Sequence, residues 1–199
     1  EENRNLVMAT KQVNVNERMA ALTAAGTSTW LDEIKRSLLA SGELRRLTLE
    51  YSLRGVTSNP TIFNSAILGS DDYDDRLGEL AREGRNTREI YQDLVIRDIQ
   101  DACDVLAPVY ESTERYDGYV SLEVDPSLAY DTDATTLEAL RLHEMIERPN
   151  LFVKIPATEA GLPAIEEAIA RGVPVNVTLI FSLERHRKVA EAYVAGLRR

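Results

Sequence analysis

The sequence has 199 residues, with 33 acidic and 23 basic side chains and a formal net charge of −10. Its length favours a single domain, and 44% hydrophobic residues are typical of a folded globular protein and too many for a disordered one. The acidic balance argues against nucleic acid or an anionic membrane as a partner, and no apolar run approaches the roughly 18 residues of a membrane span.

The chain begins with two segments ahead of the first predicted strand. Residues 1–7 precede Met8, and we interpret them as a leader added ahead of the natural start. Residues 14–25 have the pattern of a short helix. We find no interdomain linker, so residues 1–199 are treated as part of one domain.

Five short apolar runs follow, and helix-like stretches separate them. The runs are residues 28–31, 55–58, 119–124, 151–155 and 173–180. Strands that alternate with helices predict parallel βαβ units. A long helical stretch between the second and third runs predicts a helical insertion there.

Helix start and stop signals occur between these runs. Asn86 followed by Glu89 resembles a capping box. Thr158 is expected to cap a helix that ends near Gly172. Ser182 is expected to begin the last helix. We predict that the apolar residues of this last helix form its buried stripe; they are Val189, Tyr193 and Leu197.

The strands share an alternation of apolar and polar side chains. In residues 120–125 the polar Ser121, Glu123 and Asp125 share one face, and in residues 175–179 Asn176 and Thr178 do so. A doubly wound open sheet buries both faces under helices, so its strands read apolar throughout. Polar residues on one face therefore favour a (β/α)-barrel, whose inner face holds the chemistry near the carboxyl ends of the strands.

The number of strands falls short of a closed barrel. Eight β/α units typically need about 250 residues, and we count five strands before Arg199. We therefore expect the first five units of a (β/α)8 barrel. An unpaired edge strand invites pairing with another chain, so we also expect self-association through that edge.

Lys154 is the most informative of the four lysines, because it lies inside the apolar run Leu-Phe-Val-Lys-Ile. Burial lowers the pKa of a Lys amine, and the neutral amine attacks carbonyl carbons to form a Schiff base. The alternative is a lysine on an edge strand with its ammonium group in water.

Other polar residues lie at the expected carboxyl ends of the strands, and each has a structural alternative. Glu123 is a candidate acid–base group or a partner in an ion pair. Asp32 is a candidate base or a helix cap. Asn59 precedes Pro60, an ordinary turn signal. Amide and hydroxyl groups suit the binding of a polyol; they belong to Asn59, Asn176 and Thr178.

Four segments resemble motifs of the transaldolases. They are GVTSNPTIF at residues 55–63, SLEVDP at 121–126, FVKIPATEAG at 152–161 and VNVTLIFS at 175–182. Their order and spacing match the family across about residues 14 to 199. The helical stretch between Pro60 and Tyr119 is most similar to that of the longer, actinobacterial-type members.

The resemblance implies a (β/α)8 barrel that transfers a dihydroxyacetone unit from a ketose phosphate to an aldose phosphate in the pentose phosphate pathway. It implies that Lys154 forms the Schiff base, that Glu123 moves protons through a water, and that Asp32 takes the donor hydroxyl proton. Substrate positioning is assigned to Thr57, Asn59, Asn176 and Thr178. Neither a metal nor an organic cofactor is implied.

The sequence departs from the family after Arg199, where members carry the Ser and Arg residues that hold the sugar phosphate. We therefore expect phosphate-dependent transfer to be weak or absent if 199 residues are the whole chain. Two other functions stay open. One is a fructose-6-phosphate aldolase-like enzyme, although those enzymes carry an amide where this chain has Glu123. The other is a non-catalytic barrel fragment. The single Cys103 suits the reducing cytoplasm.

Overall fold

A computed structural model describes residues 14–199, and a five-stranded sheet runs through this part of the chain. The strands are β1 Thr29–Leu31, β2 Leu53–Thr57, β3 Tyr119–Glu123, β4 Leu151–Pro156 and β5 Val175–Thr178. Their spatial order is β1-β2-β3-β4-β5, and every neighbouring pair is parallel. The five predicted strands are therefore confirmed, whereas the expected leader at residues 1–7 lies outside the described residues.

Helices connect these strands. They are α1 Glu17–Ala24, α2 Arg36–Ala40, α3 Glu43–Glu50, α4 Pro60–Leu68, α5 Asp74–Arg82, α6 Thr87–Ser112, α7 Thr132–Ile146, α8 Gly161–Ala170 and α9 Leu183–Leu197, with 3-10 turns at Asp71–Tyr73 and Pro126–Leu128. The N-terminal helix α1 and the insertion formed by α4, α5 and α6 are both confirmed. The strands and helices form half of a (β/α)8 barrel.

The predicted capping box begins the longest helix of the fold. The Asn86 side chain accepts hydrogen bonds from the N–H groups of Arg88 and Glu89, and the Glu89 carboxylate accepts one from the Asn86 N–H. The reciprocal bonds satisfy backbone donors that have no partner inside the helix. Helix α6 then runs for 26 residues along the core.

Two other predicted helix ends are close to the observed ones. Ser182 caps α9 by accepting from the N–H of Arg185. Thr158 is not the cap residue of α8, a place taken by Ala160, but its hydroxyl accepts from the Gly161 N–H at 2.8 Å. A Cβ atom at Gly161 would lie 2.1 Å from the carbonyl oxygen of Pro156, so only glycine allows α8 to begin this close to β4.

The predicted buried stripe of α9 is wrong. Tyr193 and Leu197 are 51% and 61% exposed, and the buried residues of this helix are Ala192 and Gly196. The reason is the close packing of α9 against α8, because a Cβ atom at Gly196 would lie 2.6 Å from the carbonyl oxygen of Glu166. Small residues let the two backbones approach, and this turns the larger apolar residues toward solvent.

The two faces of the sheet differ as the alternation predicts. Apolar side chains on one face are buried among the helices; examples are Val120, Leu122, Leu151, Val153 and Ile155. On the other face, Trp30, Tyr119 and Phe152 form a stack in which the Tyr119 and Phe152 ring centroids are 4.0 Å apart. A Cβ atom at Gly55 would overlap Trp30, at 2.3 Å. Aromatic rings therefore fill this face below the polar residues at the carboxyl ends of the strands.

Within residues 14–199, none of the helices combines the length and the apolar character that crossing a membrane requires.

Candidate active site

Lys154 lies on an inner strand, because β4 pairs with β3 on one side and with β5 on the other. The residue is only 9% exposed. Its Nζ atom lies 3.4 Å from Glu123 Oε2 and donates to Thr57 Oγ1 at 3.5 Å. The alternative of an edge-strand lysine with its ammonium group in water is therefore wrong.

Glu123 faces Lys154 across the sheet. Their Cα atoms are register partners of β3 and β4, and 15% of the Glu123 side chain is exposed. The ion pair that the sequence offered as an alternative role for Glu123 is present. It does not exclude proton transfer, because a carboxylate at this distance is also placed to exchange protons with the amine.

Asn176 is the register partner of Lys154 on the other side, in β5. Its Nδ2 atom donates to Ser121 Oγ at 3.0 Å. Ser121 is fully buried, and its carbonyl oxygen accepts from the N–H and the hydroxyl of Ser58 at 3.1 and 2.8 Å. Ser121 therefore orients the Asn176 amide. The alternation of polar and apolar residues predicts that Ser121 lies on the polar face, but no sequence signal indicates this contact.

Thr178 lies one step beyond Asn176 on the same face of β5. It is the register partner of Pro156, and its carbonyl oxygen accepts from the Ala157 N–H at 2.8 Å. Its side chain is half-buried. The strand register therefore places Thr178 past Lys154, nearer the carboxyl end of the sheet.

Asn59 caps a helix, as the Asn-Pro sequence suggests. Its Oδ1 atom accepts from the Ile62 N–H at 2.9 Å at the start of α4. This bond holds the side-chain oxygen at the helix terminus and leaves the amide N–H groups for a ligand.

Asp32 follows β1 directly and is exposed. It borders an open cleft of about 630 Å³ together with Asn59 and Lys35. The helix-cap alternative is wrong, because Lys35 occupies the cap position of α2. Among the residues that the structure describes, no group hydrogen-bonds to the Asp32 carboxylate or forms an ion pair with it.

Arg185 and Lys188, near the carboxyl ends of β4 and β5, both form ion pairs with the Glu159 carboxylate. Arg185 Nη2 and Lys188 Nζ donate to Glu159 Oε1 at 2.9 and 3.0 Å. The hydrogen bond from Lys188, with the smaller effect of Arg185, lowers the pKa of the Glu159 carboxyl below its ordinary range. Both cations therefore already have an anionic partner.

The arrangement joins a buried amine, a carboxylate and a hydroxyl. Lys154 contacts both Thr57 and Glu123, and Asn176 is held beside it. Thr178 ends β5, whereas Asp32 and Asn59 follow the carboxyl ends of β1 and β2. An amine next to an acid–base group is suited to attack on a carbonyl. In the described part of the chain, no three His, Cys, Asp or Glu residues are grouped as metal ligands.

Comparisons with known proteins find related sequences. The family model described as Transaldolase/Fructose-6-phosphate aldolase matches residues 29–197. A protein named Transaldolase from Mycolicibacterium smegmatis is 50% identical over 182 residues, which are 92% of this chain and 49% of that protein. One of the same name from Saccharopolyspora erythraea is 50% identical over 185 residues, 93% of this chain and 50% of that protein. The chain spans about half the length of these relatives.

Proposed function

The chain belongs to the transaldolase/fructose-6-phosphate aldolase family, and from this we propose that it carries the Schiff-base centre of a transaldolase. The proposed reaction moves a dihydroxyacetone unit from sedoheptulose 7-phosphate or fructose 6-phosphate to glyceraldehyde 3-phosphate or erythrose 4-phosphate, in the pentose phosphate pathway. The observation that supports it best is the buried Lys154 amine, with its Nζ atom 3.4 Å from the Glu123 carboxylate.

Imine formation is the first proposed step. Lys154 Nζ attacks the ketose carbonyl carbon in its neutral form, and the carbinolamine that results must lose its hydroxyl as water to give the iminium ion. Glu123 is the acid–base group for this loss of water, because it lies within reach of the amine directly or through one water.

Carbon–carbon cleavage is the second proposed step. Asp32 takes the proton of the hydroxyl next to the bond that breaks, the aldose phosphate leaves as an aldehyde, and the bonding electrons pass to the iminium nitrogen. The resulting enamine then attacks the carbonyl carbon of the acceptor aldose, and Asp32 returns its proton to the oxygen of that carbonyl. Water then hydrolyses the new iminium ion, which releases the product and the free Lys154 amine. The exposed Asp32, free of hydrogen bonds from other described residues, is available for this proton.

Substrate positioning falls to the remaining polar groups of the site. Thr57 contacts the Lys154 amine, and Asn176 is oriented by Ser121. Asn59 and Thr178 offer an amide and a hydroxyl to the sugar. The proposed partners are sugar phosphates, and a cytoplasmic location is part of the proposal because the only cysteine, Cys103, is a free thiol.

Borohydride trapping tests the proposal. The full-length natural protein is incubated with fructose 6-phosphate and sodium borohydride, which reduces an iminium ion to a stable secondary amine. We expect one adduct, on Lys154, which disappears in Lys154→Arg because a guanidinium stays charged and does not attack. Lys188→Arg is the matched control and should keep the adduct. An adduct mapped to another lysine, or one that persists in Lys154→Arg, contradicts the proposal.

A second assay separates transfer from simple cleavage. Transfer to an added aldose phosphate is the result expected of a transaldolase, whereas release of free dihydroxyacetone is expected of a fructose-6-phosphate aldolase-like enzyme. If the chain of residues 1–199 by itself forms no adduct and no product, the alternative of a non-catalytic barrel fragment is correct for it.

The open edge of the sheet supports a separate proposal of self-association. In residues 14–199, β5 pairs only with β4, and apolar side chains follow it directly. Phe181 is 85% exposed and Leu183 is 91% exposed. A strand edge with large apolar side chains beside it favours association with a second copy.

A further inference from the structure

Helix α2 begins without a cap from its own N-cap residue. Lys35 occupies that position with φ −158° and ψ 154°, and its side chain makes no capping hydrogen bond. The N–H of Arg36 instead donates to the hydroxyl of Tyr73 at 3.0 Å. Tyr73 belongs to the insertion between β2 and β3, so a distant part of the chain satisfies the first backbone donor of this helix.

The Tyr73 hydroxyl is part of a closed set of contacts. It donates to Asp98 Oδ2 at 2.8 Å, and Asp98 is 1% exposed on α6. Arg36 donates from Nε and Nη2 to Asp98 Oδ1 at 3.0 and 2.9 Å. The Arg36 guanidinium also lies 4.4 Å from the centroid of the Tyr73 ring.

The Tyr73 hydroxyl keeps its proton at neutral pH, and burial also raises the pKa of the Asp98 carboxyl above its ordinary value. Burial is the largest cause that raises the pKa of the Tyr73 hydroxyl above its ordinary value. The phenol therefore keeps the proton that it donates to Asp98. Loss of any one of these hydrogen bonds would leave a buried polar group without a partner. Because that costs free energy, the hydrogen bonds hold Arg36, Tyr73 and Asp98 in fixed positions.

The contacts bear on Asp32 because of the short loop that carries it. The loop leaves β1 at Leu31, whose register partner is Val56. It is then held by Ile34, which is fully buried, and by Arg36. The other described residues give the Asp32 carboxylate no hydrogen bond. The position of Asp32 is therefore set by the contacts of the loop on its two sides, which are the strand pairing of Leu31 and the contacts of Ile34 and Arg36.

From this geometry we infer that Tyr73 and Asp98 are positioning residues for Asp32, acting through Arg36 and the start of α2. This inference rests on the proposed function, in which Asp32 takes the proton that accompanies carbon–carbon cleavage. Neither residue contacts the reacting atoms. Glu123 lies on β3 and Lys154 on β4, outside this set of contacts, so imine formation does not depend on it.

Tyr73→Phe tests the inference, because it removes one hydroxyl and keeps the ring. Displacement of a reacting group by about 1 Å can cost up to about a hundredfold in rate. We expect cleavage of fructose 6-phosphate by the full-length protein to slow about tenfold, with the rate of borohydride trapping on Lys154 within about twofold of the wild type. Tyr119→Phe is the matched control, since its hydroxyl bonds to the Arg115 carbonyl oxygen at 2.8 Å, before β3 and away from the loop.

A double-mutant cycle shows whether the effect passes through Asp32. Tyr73→Phe should slow cleavage in the wild type and have no further effect in Asp32→Asn. If the role of Tyr73 is purely structural, Tyr73→Phe slows trapping and cleavage equally, and it lowers the cleavage rate of Asp32→Asn further. Either result overturns the inference. If Tyr73→Phe fails to fold, Asp98→Asn keeps the bond between Tyr73 and the Arg36 N–H and permits the same comparison.

The two proposals fail in different ways. An adduct on Lys154 with unchanged cleavage in Tyr73→Phe overturns the positioning role alone. The absence of any adduct in the wild type overturns the proposed function, and the positioning role with it.

Discussion

Glu123 and Lys154 lie at the same level of the sheet, as register partners of β3 and β4, with Oε2 and Nζ 3.4 Å apart. Their side chains are 15% and 11% exposed, so little water screens the pair. Adjacent parallel strands fix the spacing of such partners, and the carboxylate therefore cannot move far from the amine. The backbone register thus imposes the proximity that proton exchange between the two groups requires.

Glu123→Gln should slow imine formation about a hundredfold, the lower end of what a positioned acid–base group contributes. The amide keeps the shape of the side chain but neither takes nor gives a proton, and the amine remains in place. The rate of borohydride trapping on Lys154 measures the effect. Glu167→Gln is the control, because Glu167 pairs with Arg171 on the helical side of the fold. Equal trapping rates in the wild type and Glu123→Gln would remove Glu123 from the mechanism.

Ser121→Ala should raise KM for the ketose phosphate and lower kcat/KM by about tenfold, since a hydrogen bond of about 1.4 kcal/mol corresponds to one power of ten. The change removes the hydroxyl that accepts from Asn176 Nδ2 at 3.0 Å and frees the amide to rotate. Steady-state kinetics measure it. Ser70→Ala, which removes a hydroxyl bonded to the Ala66 carbonyl oxygen on α4, should leave kcat/KM unchanged. An unchanged kcat/KM in Ser121→Ala would mean that Asn176 needs no such support.

The strands and the polar face were predictable because both follow a period of two along the chain. That period placed Glu123, Lys154 and Asn176 on one face, and the parallel register then made them neighbours. It gave no role to Ser121, because alternation shows which face a residue lies on and not which atom it contacts.

Contacts between distant segments are not predictable from the sequence for a different reason. Tyr73 and Arg36 are 37 residues apart, and Asp98 and Arg36 are 62 apart. No local pattern marks such pairs, and Asp98 reads as an ordinary acid on α6. The buried face of α9 differs from the predicted one because the small residues Ala192 and Gly196 pack closely against α8, while the larger Tyr193 and Leu197 face solvent.

Cys103 should resist thiol reagents in the folded protein. Burial is the main cause that raises the pKa of its thiol to about 12, so almost no thiolate exists near neutral pH. Labelling by a chromogenic disulfide at about pH 8 should be at least about a hundredfold slower in the native protein than in denaturant. Fast labelling of the native protein would show that the thiol is accessible.

The raised pKa of the Cys103 thiol also makes the free energy of unfolding depend on pH in the alkaline range. The native thiol keeps its proton above its ordinary pKa of 9.0, whereas the unfolded chain loses it, so the unfolded state binds fewer protons. Stability should therefore fall as the pH rises from about 9 toward about 12. Urea unfolding at about pH 7.5 and about pH 10 measures this fall, which should be smaller in Cys103→Ala. An equal fall in both proteins would assign the effect to other groups.

The chain of residues 1–199 should self-associate through the β5 edge. In the described residues this edge has no strand partner, and Phe181 and Leu183 beside it are 85% and 91% exposed. Burying a Phe or Leu side chain contributes about 1.5–3 kcal/mol, so a glutamate at either position should weaken association at least about tenfold. Size-exclusion chromatography with light scattering, over a range of concentrations, gives the mass. Leu68→Glu is the matched control, because Leu68 is 79% exposed on α4, in the insertion between β2 and β3. A monomer at every concentration, or an equal shift in Leu68→Glu, would exclude the β5 edge as the interface.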